Sequence, residues 1–567
     1  MQHLPQLAVC YAVHRNQPQR AEFCERLGRE FRNEVLDFAA TNPPRFGVNW
    51  HCTMDVAIRA ANWLVAYDVF VAAGARFDDA FRTVFVQAIG AHGEHIINHL
   101  EWWPHHRANH YLANVAGLAF VAAYLPRTRV TDAWLAFSVQ ELIREVKQQF
   151  HREGTNFEGS TCYHGLAAEM VTYATALVLG LPGDRLEALR AYDHTVIRRR
   201  PHLLPAPLPL YADERVGRES PFPPWYWRRL ERMGEFLIHA TKPSGRLHQV
   251  GDNDSGRFLK LAPRYEKLTV REAIARFANL ADVPPTDETE EYWCEPHLDA
   301  RPLVAAISGL IPRDDFVTFA SPCDFERQMV TSLARVPDTR VAPARGSQRV
   351  RKPAEASFSQ VRESLNQNAA LCQYSFRMAL PSDALSEGLQ VHAYPQFGLY
   401  IWRNSRFYVA VRCGRLCPRN TGGHAHLDQL SVELNIDGED ILADPGTYLY
   451  TPAPQQRNAH RSVAAHSAPQ TADQREPGVL DTRLFALADA ARASCLYWGD
   501  DGFVGQHEGF AEPVYRALCW MGEWLEIADY GSPTLRLLSP AVMAESLITN
   551  RSNRIRFSPA YGVHYRT

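Results

Sequence analysis

No stretch of this chain stays apolar long enough to span a bilayer, so nothing in it reads as a transmembrane helix. A charge of one sign is also lacking: 60 Lys and Arg stand against 63 Asp and Glu, for a net charge of -3. Without a basic excess to neutralise phosphates, general nucleic-acid binding is excluded as a function class. The run Val196-Ile197-Arg198-Arg199-Arg200 leaves room only for a local basic groove, and its plainer reading is a solvated helix end. A cysteine framework is missing too. The 11 cysteines are scattered from Cys10 to Cys519, and an odd, unpatterned set suits a reducing compartment. Cys413 and Cys417 make a CxxxC with no second pair, which reads as structural. The N-terminus shows no basic leader region and no small-residue cleavage site, so no secretory signal is evident. A cytoplasmic location is expected, and a periplasmic or secreted one if the N-terminus is truncated.

What is there is enough chain for at least two cores: 567 residues, 46% apolar and 22% charged, the balance of a soluble globular protein. The two halves differ in period. From about residue 20 to 310, apolar residues recur at helical spacing, as in Met54–Val65, Tyr111–Tyr124, Trp134–Phe150 and Leu166–Leu179. Pro, Gly and Asn break the runs, as at Leu181-Pro182-Gly183. Repeated helix pairs suggest a toroid or bundle, and no strict sequence repeat chooses between them. After about Ile311, short alternating runs take over, among them 397–402, 407–411, 430–436 and 518–521. Turns such as Asp437-Gly438 and Asp444-Pro445-Gly446 separate them, the pattern of an antiparallel β-sandwich. We therefore expect helical residues 1–312 followed by a sheet domain at 313–567, with a ligand cleft where the two meet.

The densest chemistry lies in Gly422-Gly423-His424-Ala425-His426-Leu427-Asp428-Gln429. On an extended strand, His424, His426 and Asp428 would share one face. Imidazoles and carboxylates ligate zinc, and a histidine also serves in proton transfer. Asp444 and His466 follow in the sheet half; taken alone, Asp444 reads as a turn residue. The helical half holds three polar clusters. Glu101 to Tyr111 contains Trp102, Trp103, His105, His106, Asn109 and His110. Arg152 to His164 contains Glu158 and Tyr163. His248 to Arg257 contains the sequence GDNDSGR, which lacks the full spacing of a calcium-binding loop.

Together these pieces resemble the heparinase II/III-type polysaccharide lyases. The resemblance is carried by NW…MDVAIRAANWL, NHYLANVAGL, EGSTCYHGL, GDNDSGR, GGHAHLDQLSVEL, LADPGTYLYT and RSVAAHSA, from about Asn49 to about Gln474. It implies an N-terminal (α/α) toroid, a C-terminal antiparallel β-sandwich, and β-elimination, syn or anti, on a uronic-acid polysaccharide or oligosaccharide. That reaction needs the uronate carboxylate neutralised, the C5 proton removed and the leaving oxygen at C4 protonated. The resemblance gives the carboxylate to Asn109, helped by His110. It gives proton transfer to Tyr163 and His424, with a nearby cation expected to lower the Tyr163 pKa. His426, Asp444 and His466 match the ligands of a structural zinc ion, with Asp428 and Gln429 as hydrogen-bonding partners behind them. Glu158, Arg257, Trp102 and Trp103 are candidate substrate-binding residues.

The chain departs from the family pattern in three places. Ser467-Ala468 follows the metal histidine where relatives often carry Asn-Thr; the lead before Asn49 is short; and an export signal is not evident. The first bears on the turn around His466; the other two favour trimming of oligosaccharides inside a cell or processing linked to exopolysaccharide production. Two other classes compete: a catalytically idle glycan-binding protein, and a zinc-dependent hydrolase. The hydrolase would need a base such as Glu433, which regular strand alternation turns away from His426.

Overall fold

The helical spacing is realised as helices Thr53–Ala72, Asn109–Tyr124, Arg129–Gln149 and Thr161–Leu179. Asn109–Tyr124 and Thr161–Leu179 are buried on nearly every face, so they form the inner layer. Ala21–Thr41 buries only Cys24, Leu27, Phe31 and Val35, one stripe at i, i+3, i+4 spacing, and so lies outside. Inner and outer helices pair in this way into an (α/α) toroid. The structure is a computed structural model that describes residues 1–104, 107–282, 290–336, 356–381, 388–416, 422–521, 523–549 and 556–566. His105, His106, Cys417 and residues 341–347, whose Pro343 and Gly346 read as a loop in the sequence, lie outside the described residues.

The helical layer runs further than residue 312. Helices Asp314–Ala320 and Asp324–Ala334 follow, and the second packs on Thr161–Leu179. Each is short and buries few residues, so neither stood out by period. The arginine run is also corrected: Arg198, Arg199 and Arg200 are exposed on irregular backbone beyond a single 3₁₀ turn rather than on a helix end.

The sheet half contains two five-stranded antiparallel sheets. One runs in the order Glu439–Leu442, Val432–Ile436, Phe407–Arg412, Leu399–Arg403, Gln390–Tyr394. The other runs Ser494–Gly499, Gly502–His507, Val514–Met521, Trp524–Gly531, Cys372–Ala379. Alternation sorts their side chains. Trp402, Phe407, Val409, Leu434, Phe503, Leu518 and Ile527 fill the space between the sheets. Leu399, Ile401, Tyr408 and Ala410 point the other way and join the core of the helices. The first sheet is thus covered on both faces, which seats it against the toroid.

Polar contacts lock that seam. Glu153, after helix Arg129–Gln149, accepts the backbone N–H groups of Phe397 at 2.8 Å and Gln396 at 3.2 Å. Lys242 reaches Glu433 at 3.1 Å and Asp440 at 2.9 Å. His248 Nδ1 and the Tyr408 hydroxyl are 3.0 Å apart. Among the described residues no helix is long and apolar enough to cross a membrane.

Candidate active site

Two loops meet at the seam, one leading out of the helices through residues 248–257, the other at 422–431 before strand Val432–Ile436. They join at the backbone: Asp252 N–H donates to the His424 carbonyl at 3.0 Å. Gly251 makes this approach possible. Its φ is +64°, and a Cβ there would run into the His424 carbonyl.

Segment 422–431 is turns rather than the extended strand expected of it, and Leu430 has a positive φ of 62°. Strand alternation therefore does not orient its histidines. Asp252 does. This fully buried carboxylate has Oδ2 3.0 Å from His424 Nδ1 and Oδ1 3.0 Å from His426 Nε2. Arg457 donates to both oxygens, at 2.6 and 2.8 Å. Burial opposes ionisation, but Arg457 and the two histidines hold the Asp252 carboxyl well below the usual carboxylate range. An ionised carboxylate only accepts hydrogen bonds, so each histidine must present an N–H to it. The proton sits on Nδ1 of His424, leaving its Nε2 lone pair free; it sits on Nε2 of His426, leaving its Nδ1 free. Asp428 does not join them: it is 3.7 Å from Arg412 and accepts from Gln429 at 3.2 Å.

Tyr163 arrives from the helical side. Ser160 caps its helix, accepting from Tyr163 N–H at 3.1 Å while donating to the Asp252 carbonyl at 2.6 Å, so the helix start is tied to the Asp252 loop. The Tyr163 ring stacks on His424, centroids 3.6 Å apart and planes at 22°. Its hydroxyl donates to Asp254 Oδ2 at 2.8 Å and lies 3.3 Å from the Tyr450 hydroxyl. The expected lowering of its pKa is not found. Burial pushes the phenol well above its ordinary value, and Tyr450, Asp254 and Asp252 add to the rise, so Tyr163 is a neutral phenol.

Asn109 heads helix Asn109–Tyr124 and is buried. Its amide donates to both oxygens of Glu158, at 2.9 and 3.1 Å, and its Oδ1 has no partner. Glu158 is wholly buried and holds the Asn109 amide. His110 is half-exposed, with Nδ1 2.8 Å from Glu101 Oε1. Burial opposes its charge, but contacts with Cys52 and Glu101 push the imidazole up to about 10.

His426, Asp444 and His466 have ligand atoms within 4.8 Å of one another, all buried. His426 Nδ1 and His466 Nε2 make no hydrogen bond, and Asp444 Oδ2 lies 3.0 Å from His466 Nδ1. Orphaned buried nitrogens around a carboxylate fit a divalent cation. Asp444 is a turn residue as well, since its Oδ1 accepts the Gly446 N–H at 2.8 Å. Ser467 fills the place where Asn was expected and bonds both the N–H and the carbonyl of Val432, so the turn is tied to the strand.

The remaining candidates take other places. Arg257 pairs bidentately with Glu169, at 3.1 and 2.8 Å, and lines a small cavity with Thr161, Cys162 and His297. Trp102 packs partly buried on the helical core, whereas Trp103 is exposed. Glu433 bonds Lys242 and the Asp444 N–H, the latter at 2.9 Å. Asp252, Asp254, Tyr450 and Arg457 had no assigned role at the level of sequence. Their partners are far along the chain; Asp252 and Asp254 lie in GDNDSGR and Tyr450 in LADPGTYLYT, and nothing local marks Arg457.

Family models match two stretches: the heparinase II/III N-terminus over residues 11–181, and the heparinase II/III-like C-terminal region over residues 387–530. A solved structure of heparinase III is similar with a TM-score of 0.51 at 11% identity, over 93% of this chain and 62% of that one. A mutant of the heparan sulfate lyase HepC from Pedobacter heparinus is similar at 0.48 and 16% identity, over 93% and 61%. This chain spans less than two thirds of the length of either, and identities this low speak to fold alone. No curated protein matches.

Proposed function

The chain belongs to the heparinase II/III-like family, and on that premise we propose that it is a carbon–oxygen lyase cleaving a uronate-containing polysaccharide or oligosaccharide by β-elimination. The observation that carries the reading is the stack of Tyr163 on His424, a neutral phenol against an imidazole whose free nitrogen is Nε2. His424 Nε2 takes the C5 proton. The C5 electron pair forms the C4=C5 double bond as the C4–O bond breaks. Tyr163 delivers its hydroxyl proton to the leaving oxygen, and the cycle closes when the His424 imidazolium gives its proton to solvent and Tyr163 takes one back. A neutral phenol carries the proton an acid must give and lacks the charge a base would need. Asp252 holds the His424 ring and stabilises the imidazolium that forms. Asn109 and the His110 imidazolium face the negative charge that develops on the uronate carboxylate. Asn109 must then trade part of its bond to Glu158 for the substrate.

His426, Asp444 and His466 would hold zinc, which supplies cross-linking of the sheet loops behind His424. No proton step needs it. The hydrolase reading loses its base, because Glu433 is already engaged by Lys242 and the Asp444 backbone.

The test is ultraviolet absorbance from the unsaturated uronide during incubation with a panel of uronate polymers and oligomers. A rise on one of them supports the lyase and names its substrate. New reducing ends without a rise would mean hydrolysis and sink the proposal.

A further inference from the structure

A second group of metal-ligating side chains lies away from the His426 triad. Cys52 caps helix Thr53–Ala72, Glu101 sits in the loop after Asp79–Asn98, and His110 is in the first turn of Asn109–Tyr124. Cys52 Sγ is 3.9 Å from Glu101 Oε1 and 3.9 Å from His110 Nδ1, and those two atoms are 2.8 Å apart. Metal–ligand bonds of about 2.0–2.3 Å at tetrahedral angles separate such donors by roughly 3.3–3.7 Å. The observed triangle brackets that range, so a cation needs only sub-ångström movement to seat.

The carboxylate is already aimed. Glu101 Oε2 accepts Met54 N–H at 2.8 Å and Asn114 Nδ2 at 3.1 Å, while Glu101 N–H donates to Asn114 Oδ1 at 2.8 Å. Those bonds fix the side chain and turn Oε1 toward the sulfur and the imidazole, as outer partners do in metal sites. The starts of two helices, Thr53–Ala72 and Asn109–Tyr124, converge here. His110 is exposed over 50% of its side chain, so a fourth position opens to solvent.

We propose that Cys52, Glu101 and His110 form a second metal site, binding a zinc-class divalent cation through one thiolate, one carboxylate and one imidazole, with an open position for water or an anionic oxygen. Binding releases the thiol proton and the proton held between His110 and Glu101, so the bound cation takes over the positive charge that the His110 imidazolium presents when the site is empty, and no redox change is involved. The open position makes the site a candidate anchor for carboxylate or sulfate groups of an acidic glycan.

Cobalt(II) titration of the full chain tests this, because sulfur ligation adds a thiolate-to-cobalt charge-transfer band in the near ultraviolet. The His426, Asp444 and His466 triad has no sulfur and gives no such band. The wild type should develop the band, His466→Ala should keep it, and Cys52→Ala should lose it entirely while binding one metal fewer per chain. His110→Gln, in which the thiol remains, should weaken cobalt binding at least tenfold and covers the case in which Cys52→Ala fails to fold. No band in the wild type, or a band unchanged in Cys52→Ala or His110→Gln, overturns the proposal.

Discussion

Asp252 Oδ2 and His424 Nδ1 lie 3.0 Å apart across the seam between the helices and the sheets. One buried carboxylate thereby sets the tautomer of a histidine from the other half of the molecule. The other oxygen of Asp252 does the same for His426 at 3.0 Å, so the proposed proton-transfer histidine and a proposed metal ligand share one anchor.

Replacing Tyr163 by Phe removes the proposed acid and nothing else from the stack. Turnover should fall by about 10²–10⁴-fold, the usual contribution of a positioned proton donor. The melting temperature should stay close to that of the wild type. Activity within tenfold of wild type in Tyr163→Phe would remove the phenol from the chemistry.

Asp252→Asn takes the counter-charge from the buried Arg457, which lies within 2.6 Å of it. Leaving that guanidinium unpaired should destabilise the fold by about 3–5 kcal/mol, read from urea unfolding. Turnover should fall as well, because His424 loses its fixed tautomer. Stability equal to wild type would mean that Arg457 has another counter-charge.

The zinc proposal predicts that dialysis against a chelator lowers the melting temperature and that added zinc restores it. His466→Ala should abolish binding at this triad, counted by elemental analysis. Asp252→Asn, which weakens the bond behind His426, should cost about 10–100-fold in zinc affinity. A melting temperature indifferent to chelator would argue against the structural ion.

His164, beside Tyr163, is sealed in the helical core. Its Nδ1 accepts the Asn156 N–H at 3.2 Å and its Nε2 lies 3.3 Å from the Met233 carbonyl. Burial pushes its pKa down to about 3. Between that value and the unfolded value of about 6.5, the unfolded chain binds the extra proton, so stability rises with pH and is lost on acidification. His92, also pushed down to about 3 by burial and then by Arg59, acts in the same direction. Each histidine should contribute a slope of about 1.4 kcal/mol per pH unit in that window. Urea midpoints from pH 7 to 5 should fall, and the fall should be shallower in His164→Gln. An identical slope in the variant would show that His164 is not held neutral.

The architecture was legible along the chain because helical and strand periods report which face is buried. Asn109–Tyr124 and Thr161–Leu179 are helices, and 399–403 and 407–412 are strands, where the runs of apolar residues indicated. The helices at 314–334 were not, since short segments with few buried positions carry little periodic signal. Residue types also marked His424 and His426 as chemistry-bearing, because few side chains move protons or bind cations, whereas Tyr163, Asp444 and His466 took their expected roles from the family resemblance.

What the chain could not specify locally is which of these groups meet. The loop at 422–431 is oriented by Asp252 and Arg457, not by strand alternation, and those partners arrive from distant turns. Only the docking of sheet on toroid brings the Tyr163 ring onto His424 and buries the phenol beside Asp254 and Tyr450. Burial of that kind raises the phenol's pKa, where a cation had been expected to lower it. Side-chain identity is local and can be read in order, but desolvation and charge pairing depend on what the whole fold packs around a group.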